Sequence, residues 1–345
     1  LKGWIDLENH CDSSGKSLEK LASEVLERYG IVPESMAVIQ SGAIKTVWKF
    51  KANGRLLCLK RLRQTLDKAL FSANAQIHIR KSGGLVPGIL PDKNGQPVVQ
   101  YGDQLFVLYE WINGTDLNFG NPADLKQAVQ GLARFHIASK GYQPGEEARV
   151  SSKLGKWPEQ YASMKNKLAL WKETALGGLS QPAYASYARC VDPMLRLADQ
   201  AIDLLGRSEY GVLTGKGSGS VVLCHQDYGK GNAIAAGNGV YVLDLDGVTF
   251  DLPARDLRKI IGKIAENKGQ WQAGSIRDIM AWYTEIHPQN EEERAALYTD
   301  LLFPHWFYGL VKNLFQGAKP LKAAEIERIA KLEEAKVPVL KTFQK

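Results

Sequence analysis

The chain has 345 residues, about two domains' worth at roughly 150 residues each. Hydrophobic residues make up 44% and charged residues 23%, an ordinary globular mix that excludes disorder, collagen and coiled coil for the whole chain. The 44 Lys and Arg outnumber the 37 Asp and Glu, for a net charge of +7, which favours an anionic partner: nucleic acid, a membrane surface or a phosphate-bearing ligand. No run of five or six basic residues concentrates that charge, which argues against a nucleic-acid stripe.

Cys11, Cys58, Cys190 and Cys224 form no C-x-x-C pair, so they are expected to be reduced, mostly buried thiols of a cytosolic protein. No apolar run reaches the 18 or so residues of a membrane span, and LKGWIDLENH lacks the apolar core of a signal peptide.

In chain order, SLEKLASEVLERY over 17–29 sets Leu18, Leu21, Val25 and Leu26 on one helix face, with Ser17 as N-cap and Gly30 as stop. From about 36 to 111 the texture is that of short strands. A glycine turn follows MAVIQ, and Asn53-Gly54 between two apolar runs predicts a hairpin, because both turn residues need positive φ. A helix over 66–82 comes next, then VPGILP, a turn at Asn94-Gly95, and the strands PVVQY and QLFVLYEWI. Asn121-Pro122 starts a helix over 122–140, and 155–205 reads as further helices rich in Trp and Tyr. Strand texture returns at 221–246, and helices run from 253 to the end. The expected fold is α+β, with residues 1–111 as a β-rich lobe (a leading helix, a five-stranded sheet and one helix) and 112–345 as a mainly helical lobe, joined by a hinge near 110–114.

The chemistry concentrates in His225-Gln-Asp227-Tyr-Gly-Lys-Gly-Asn232 and the later Asp244-Leu-Asp246. A buried strand ending at Cys224 would deliver His225 and Asp227 at its tip. Gly229 and Gly231 permit a tight loop, and a hairpin through Gly237-Asn238-Gly239 returns the strand YVLDLD alongside. This would gather Asp227, Asn232 and Asp244: two carboxylates and an amide, hard oxygen ligands suited to Mg²⁺ on phosphates.

H-x-D-x-x-x-x-N, a short hairpin and an apolar strand ending in Asp is the signature of kinase-like phosphotransferases. This version resembles the aminoglycoside phosphotransferase and choline kinase family over roughly residues 33–320, including Pro253-Ala-Arg-Asp256-Leu and Leu132-Ala-Arg-Phe135-His136. The LKRL strand, KALFSANAQ and FPHWFYGLVKN are similar to spore-coat kinase-like proteins of the CotS type from endospore-forming bacteria. The resemblance implies a protein-kinase-like two-lobe fold, with a catalytic loop over 225–232 and a metal-binding strand end over 244–246. It also implies an ATP- and Mg²⁺-dependent transfer of the γ-phosphate to a hydroxyl.

By the same resemblance, Asp227 would accept or orient the hydroxyl proton, and Lys230 would reach the transferred phosphate. Asn232, Asp244 and Asp246 would hold the metal, and Lys60 the α/β-phosphates. Ser41-Gly42 would open the loop over the phosphates, with one glycine where protein kinases have three. Backbone groups of Glu110, Trp111 and Ile112 would meet adenine. His225 and His136 read as buried struts, and Asp256 as a brace that fixes the loop through backbone bonds. The implied partners are a nucleotide, a hydroxyl-bearing acceptor that the sequence does not identify, and other spore-coat proteins, with neither membrane nor nucleic acid. The expected location is the cytoplasm, with deposition in the spore coat.

One departure stands out. The helix after Lys60 should present a Glu to that lysine, yet Ala73–Gln76 holds none, which leaves Asn74 or Gln76 as neutral partners. The alternative reading is therefore a kinase-like structural protein of the coat with weak or lost turnover. Three look-alikes carry less. Ser13–Ser17 resembles the end of a Walker A loop, but the first required Gly falls on His10. Gly215–Ser220 is Gly-rich but precedes a strand, as a mobile surface loop would. Asp244-Leu-Asp246-Gly-Val-Thr resembles the motif of haloacid-dehalogenase phosphatases, but helices follow where that fold needs further strands. The tryptophans and tyrosines of 155–205 read as helix packing ahead of an acceptor pocket.

Overall fold

The computed structural model describes residues 17–40, 46–317 and 320–342. Ser41, Gly42, Cys11 and the Walker-like residues up to Lys16 lie outside them. The chain forms two compact units, interleaved in sequence. The first takes the described residues up to Asp116 with Gly141–Ser151 and Gly231–Gly247. The second takes Leu117–Lys140, Ser152–Lys230 and the described residues from Val248 on.

In the first unit, α1 (Leu18–Leu26) starts where the Ser17 side chain accepts the Lys20 N–H at 3.2 Å. It tightens to a 3₁₀ turn over Glu27–Tyr29 and stops at left-handed Gly30. Strands β1 (Ser35–Gln40), β2 (Val47–Ala52) and β3 (Arg55–Leu62) follow, with α2 (Leu66–Lys81) after them. Asn53 and Gly54, both at positive φ, close the two-residue turn between β2 and β3, as their sequence predicts. Then come β4 (Ile89–Leu90), β5 (Val99–Tyr101) and β6 (Gln104–Glu110). The antiparallel sheet runs β1-β2-β3-β6, with β4 and β5 sharing the far edge of β6. It has six strands, one more than expected, because Ile89–Leu90 in VPGILP pairs with Leu108 and Tyr109.

Period-2 alternation sorts β3 between two environments. Leu57 and Leu59 pack with Trp48, Phe50, Phe106 and Leu108 against the apolar face of α1. Lys60, one residue on, therefore points to the opposite face. That face holds Val107 and Leu62 packed on Ala69 and Ala73 of α2. The hairpin of Ala233–Ala236 with Gly239–Val242 completes the unit, pairing with Thr115–Asp116. Backbone approaches backbone closely here: a Cβ on Gly114 would run into the Ala235 carbonyl, so any side chain at that position must displace the hairpin.

The second unit is mainly helical. Asn121 caps the helix Pro122–Ser139 by accepting from the N–H groups of Ala123 and Asp124. The strand Val222–Cys224 pairs with Thr249–Asp251, a strand not legible in the sequence because three residues carry no visible period. Gly215–Ser220 forms turns that lead into Val222–Cys224 and opens no helix. The aromatics of the two long helices Trp157–Leu176 and Pro182–Gly206 are packing groups. Trp171 stacks on Phe315 at 5.1 Å, Tyr187 on Phe307 at 5.7 Å and Trp157 on Tyr210 at 4.9 Å. Of the described cysteines only Cys224 is buried; Cys58 and Cys190 are partly exposed. No helix among the described residues is long and apolar enough to cross a membrane.

Candidate active site

The first unit holds a cleft of about 610 Å³ bordered by Lys60, Tyr109, the segment Glu110–Ile112, Asn232 and Asp244. Its position follows from two pieces of local structure. Alternation on β3 turns Lys60 inward, where it is 7% exposed. The hairpin over 233–242 brings Asp244 back beside Asn232, fixed by the Leu243 N–H donating to the Asn232 carbonyl at 3.0 Å. Asp244 adopts φ +60°, a left-handed conformation costly for a residue with a Cβ. That bend turns the chain into the 3₁₀ turn Leu245–Gly247, which packs against α2.

Lys60 Nζ donates to Asp244 Oδ1 at 2.6 Å and lies 2.7 Å from Asp246 Oδ2. Burial alone would lower the Lys60 pKa, but the carboxylates of Asp246 and Asp244 outweigh it and raise it. The lysine is therefore firmly cationic. The neutral partners expected on α2 are corrected here: the Gln76 amide donates instead to the Pro87 carbonyl at 2.6 Å, and both partners of Lys60 are carboxylates from beyond Leu243. Asn232, Asp244 and Asp246 are oxygen donors of the type Mg²⁺ takes, so the residues present fit that ion.

The Glu110 side chain is spent on structure. It meets Arg55 at 3.2 Å and Arg80 at 2.8 Å, and accepts the Gly88 N–H at 3.2 Å. The Glu110 N–H bonds the Gly88 carbonyl and the Trp111 N–H bonds the Leu56 carbonyl. Trp111 carries Lys49 over its ring at 4.3 Å.

In the second unit, Asp227 and Lys230 are both exposed on the loop after Val222–Cys224. A buried carboxylate organises this loop. Asp256, in the first turn of the helix Ala254–Lys268, accepts the His225 N–H at 2.6 Å and the Gln226 N–H at 2.9 Å. The expected backbone brace is thus present in the geometry. The Asp227 N–H donates to His225 Nδ1 at 3.2 Å, which makes that nitrogen an acceptor and places any ring proton of a neutral His225 on Nε2. Gln226 sits at φ +71°, and the Lys259 ammonium donates to its carbonyl. The sequence marks Lys259 only by its place three residues after Asp256 on the same helix.

His136 is fully buried, as a strut should be. Its Nε2 lies 3.2 Å from Asp256 and its Nδ1 2.7 Å from the Tyr283 hydroxyl, which in turn lies 2.8 Å from His287 Nδ1. Burial, with Lys140 and His136 nearby, lowers His287 to about 4. Its folded pKa lies below its unfolded value of 6.5, so the unfolded state binds more protons between the two. Stability is complete above that window and falls as pH drops through it, by at most about 3 kcal/mol for one such group. Urea unfolding at successive pH values checks this; His287→Gln is expected to flatten the slope.

This architecture is protein-kinase-like, an α+β fold with an antiparallel-sheet N-terminal region and a mainly helical C-terminal part, and solved structures agree. An aminoglycoside phosphotransferase from Alicyclobacillus acidocaldarius subsp. acidocaldarius DSM 446 superposes with TM-score 0.74 at 16% identity, covering 93% of this chain and 94% of its own. An amicoumacin kinase in complex with AMP-PNP and Ca²⁺ superposes with TM-score 0.63 at 14% identity, over 94% and 95%. The chain belongs to the family described as spore coat putative kinase YutH, whose sequence model matches residues 22–337. It is also 25% identical to spore coat protein S of Bacillus subtilis (strain 168), over 92% of each chain.

Proposed function

We propose that this protein is a spore-coat-associated phosphotransferase that uses ATP and Mg²⁺ to phosphorylate a hydroxyl of a small or macromolecular acceptor. The observation that carries the reading is the convergence of Lys60, Asn232 and Asp244 on one cleft bordered by Glu110–Ile112. The AMP-PNP held by a structural relative supports a nucleotide in that cleft. With the N–H groups of Glu110 and Trp111 already bonded, adenine would read the Glu110 carbonyl and the Ile112 N–H. Lys60 would meet the α/β-phosphates. Asn232 and Asp244 offer oxygens to Mg²⁺, with Asp246 as a further carboxylate beside them; the ion neutralises phosphate charge. Asp227 would hold the acceptor hydroxyl and take its proton, and Lys230 would face the transferred phosphate. Ser41 and Gly42 keep the role of a phosphate-covering loop in this reading. Such catalysis is positioning and charge neutralisation.

Saturating MgATP is expected to raise the melting temperature by about 5 °C. Lys60→Met should shrink the shift without removing it. The absence of a helix glutamate favours a second reading, a kinase-like structural protein of the coat without turnover. A wild-type melting curve indifferent to MgATP and MgADP would decide for it.

A further inference from the structure

A buried ammonium needs a permanent counter-charge, and the usual source in this fold region is closed to Lys60. Between Ala73 and Gln76, α2 carries no acid, and Gln76, which borders the same cleft, commits its amide to the Pro87 carbonyl. Two carboxylates from beyond Leu243 take up the task. They are not equivalent in their surroundings. Asp244 lies two residues past the strand Gly239–Val242 and borders the cleft together with Asn232. Asp246 lies two residues on, in the 3₁₀ turn that packs against α2 itself. Its carboxylate therefore reaches Lys60 from beside the helix that lacks one, at 2.7 Å.

We propose that Asp246 is the positioning residue for Lys60, replacing from the turn Leu245–Gly247 the carboxylate that α2 does not supply. The inference rests on the phosphotransferase reading. Were a metal ion to engage Asp244, Lys60 would lose one of its two partners, and Asp246 would remain to hold the ammonium in the cleft. Asp246 then acts on the phosphates through Lys60 and not through the metal.

The test is a double-mutant cycle in the full chain, read as ADP affinity by calorimetry, once in EDTA and once with Mg²⁺. Asp246→Asn keeps the shape and removes the charge. It is expected to weaken ADP binding about tenfold with Mg²⁺, on the order of one well-placed charged contact, and less in EDTA, where Asp244 still holds the ammonium. In a Lys60→Met background the same substitution should cost less than about twofold, since the lysine it positions is gone. Gln76→Glu, which returns a carboxylate to α2, is expected to recover part of the loss in Asp246→Asn. Equal factors in the two backgrounds would overturn the proposal, and a Mg²⁺-dependent loss that persists undiminished in Lys60→Met would make Asp246 a metal ligand instead. Wild-type protein that binds no ADP in either condition would overturn the phosphotransferase reading first, and the positioning role with it.

Discussion

Asp227→Asn is expected to lower MgATP-dependent phosphoryl transfer about a thousandfold, the middle of the range for removing a positioned general base. ADP release in the presence of acceptor extracts, or slow transfer to water, would serve as the readout. The substitution is nearly isosteric, and the backbone of Asp227 is held independently of its carboxylate, through its own N–H on His225 Nδ1. The side chain is exposed, so little packing is at stake. The melting temperature and the MgATP-induced shift should therefore stay at wild-type values while turnover falls. Transfer that persists at the wild-type rate would remove Asp227 from the role of base. A fall in melting temperature of several degrees would mean that the carboxylate helps to hold the loop.

What the sequence reveals of this protein depends on the range over which each feature is determined. The β2–β3 turn is written in two adjacent residues, Asn53 and Gly54, whose backbone preference leaves few options. The Asn121 cap and the apolar face of α1 are legible for the same reason: one turn of chain decides them. The strand Thr249–Asp251 is not legible, because three residues have no period to show and its pairing partner lies some 25 residues away. The candidate site divides along the same line. Spacing alone suggests that Asn232 and the strand end at Asp244 return to one another, since a tight hairpin joins them. The partner of Lys60 cannot be found that way. It depends on a contact between β3 and a turn 186 residues later, made possible by the left-handed bend at Asp244. A search for a helix acid, guided by resemblance, looks on the wrong element.

The second large effect concerns Asp256, and it tests stability and function together. Burial would push its carboxyl up, but the His136 ring and the Gln226 N–H bonded to it prevail and hold it below the ordinary carboxylate range. It is 1% exposed and accepts from two consecutive backbone N–H groups and a ring nitrogen. Asp256→Ala leaves those donors unpaired in the interior, at an expected cost of about 3–5 kcal/mol in urea unfolding. Asp256→Asn does not escape this, because each oxygen already accepts a backbone N–H and the new amide must face one donor with another. The wild-type contribution has a defined pH range. Its folded pKa lies below the unfolded value, so the stabilisation is present above about pH 4 and is lost as pH falls through the folded value. Loss of the brace also frees His225 and Gln226, and with them the backbone that presents Asp227, so turnover should fall well beyond the loss of folded protein. An Asp256→Asn variant within about 1 kcal/mol of wild type would mean that the loop holds its shape without the buried carboxylate. The strained φ at Gln226 argues against that outcome, since a residue stays in that conformation only where its neighbours impose it.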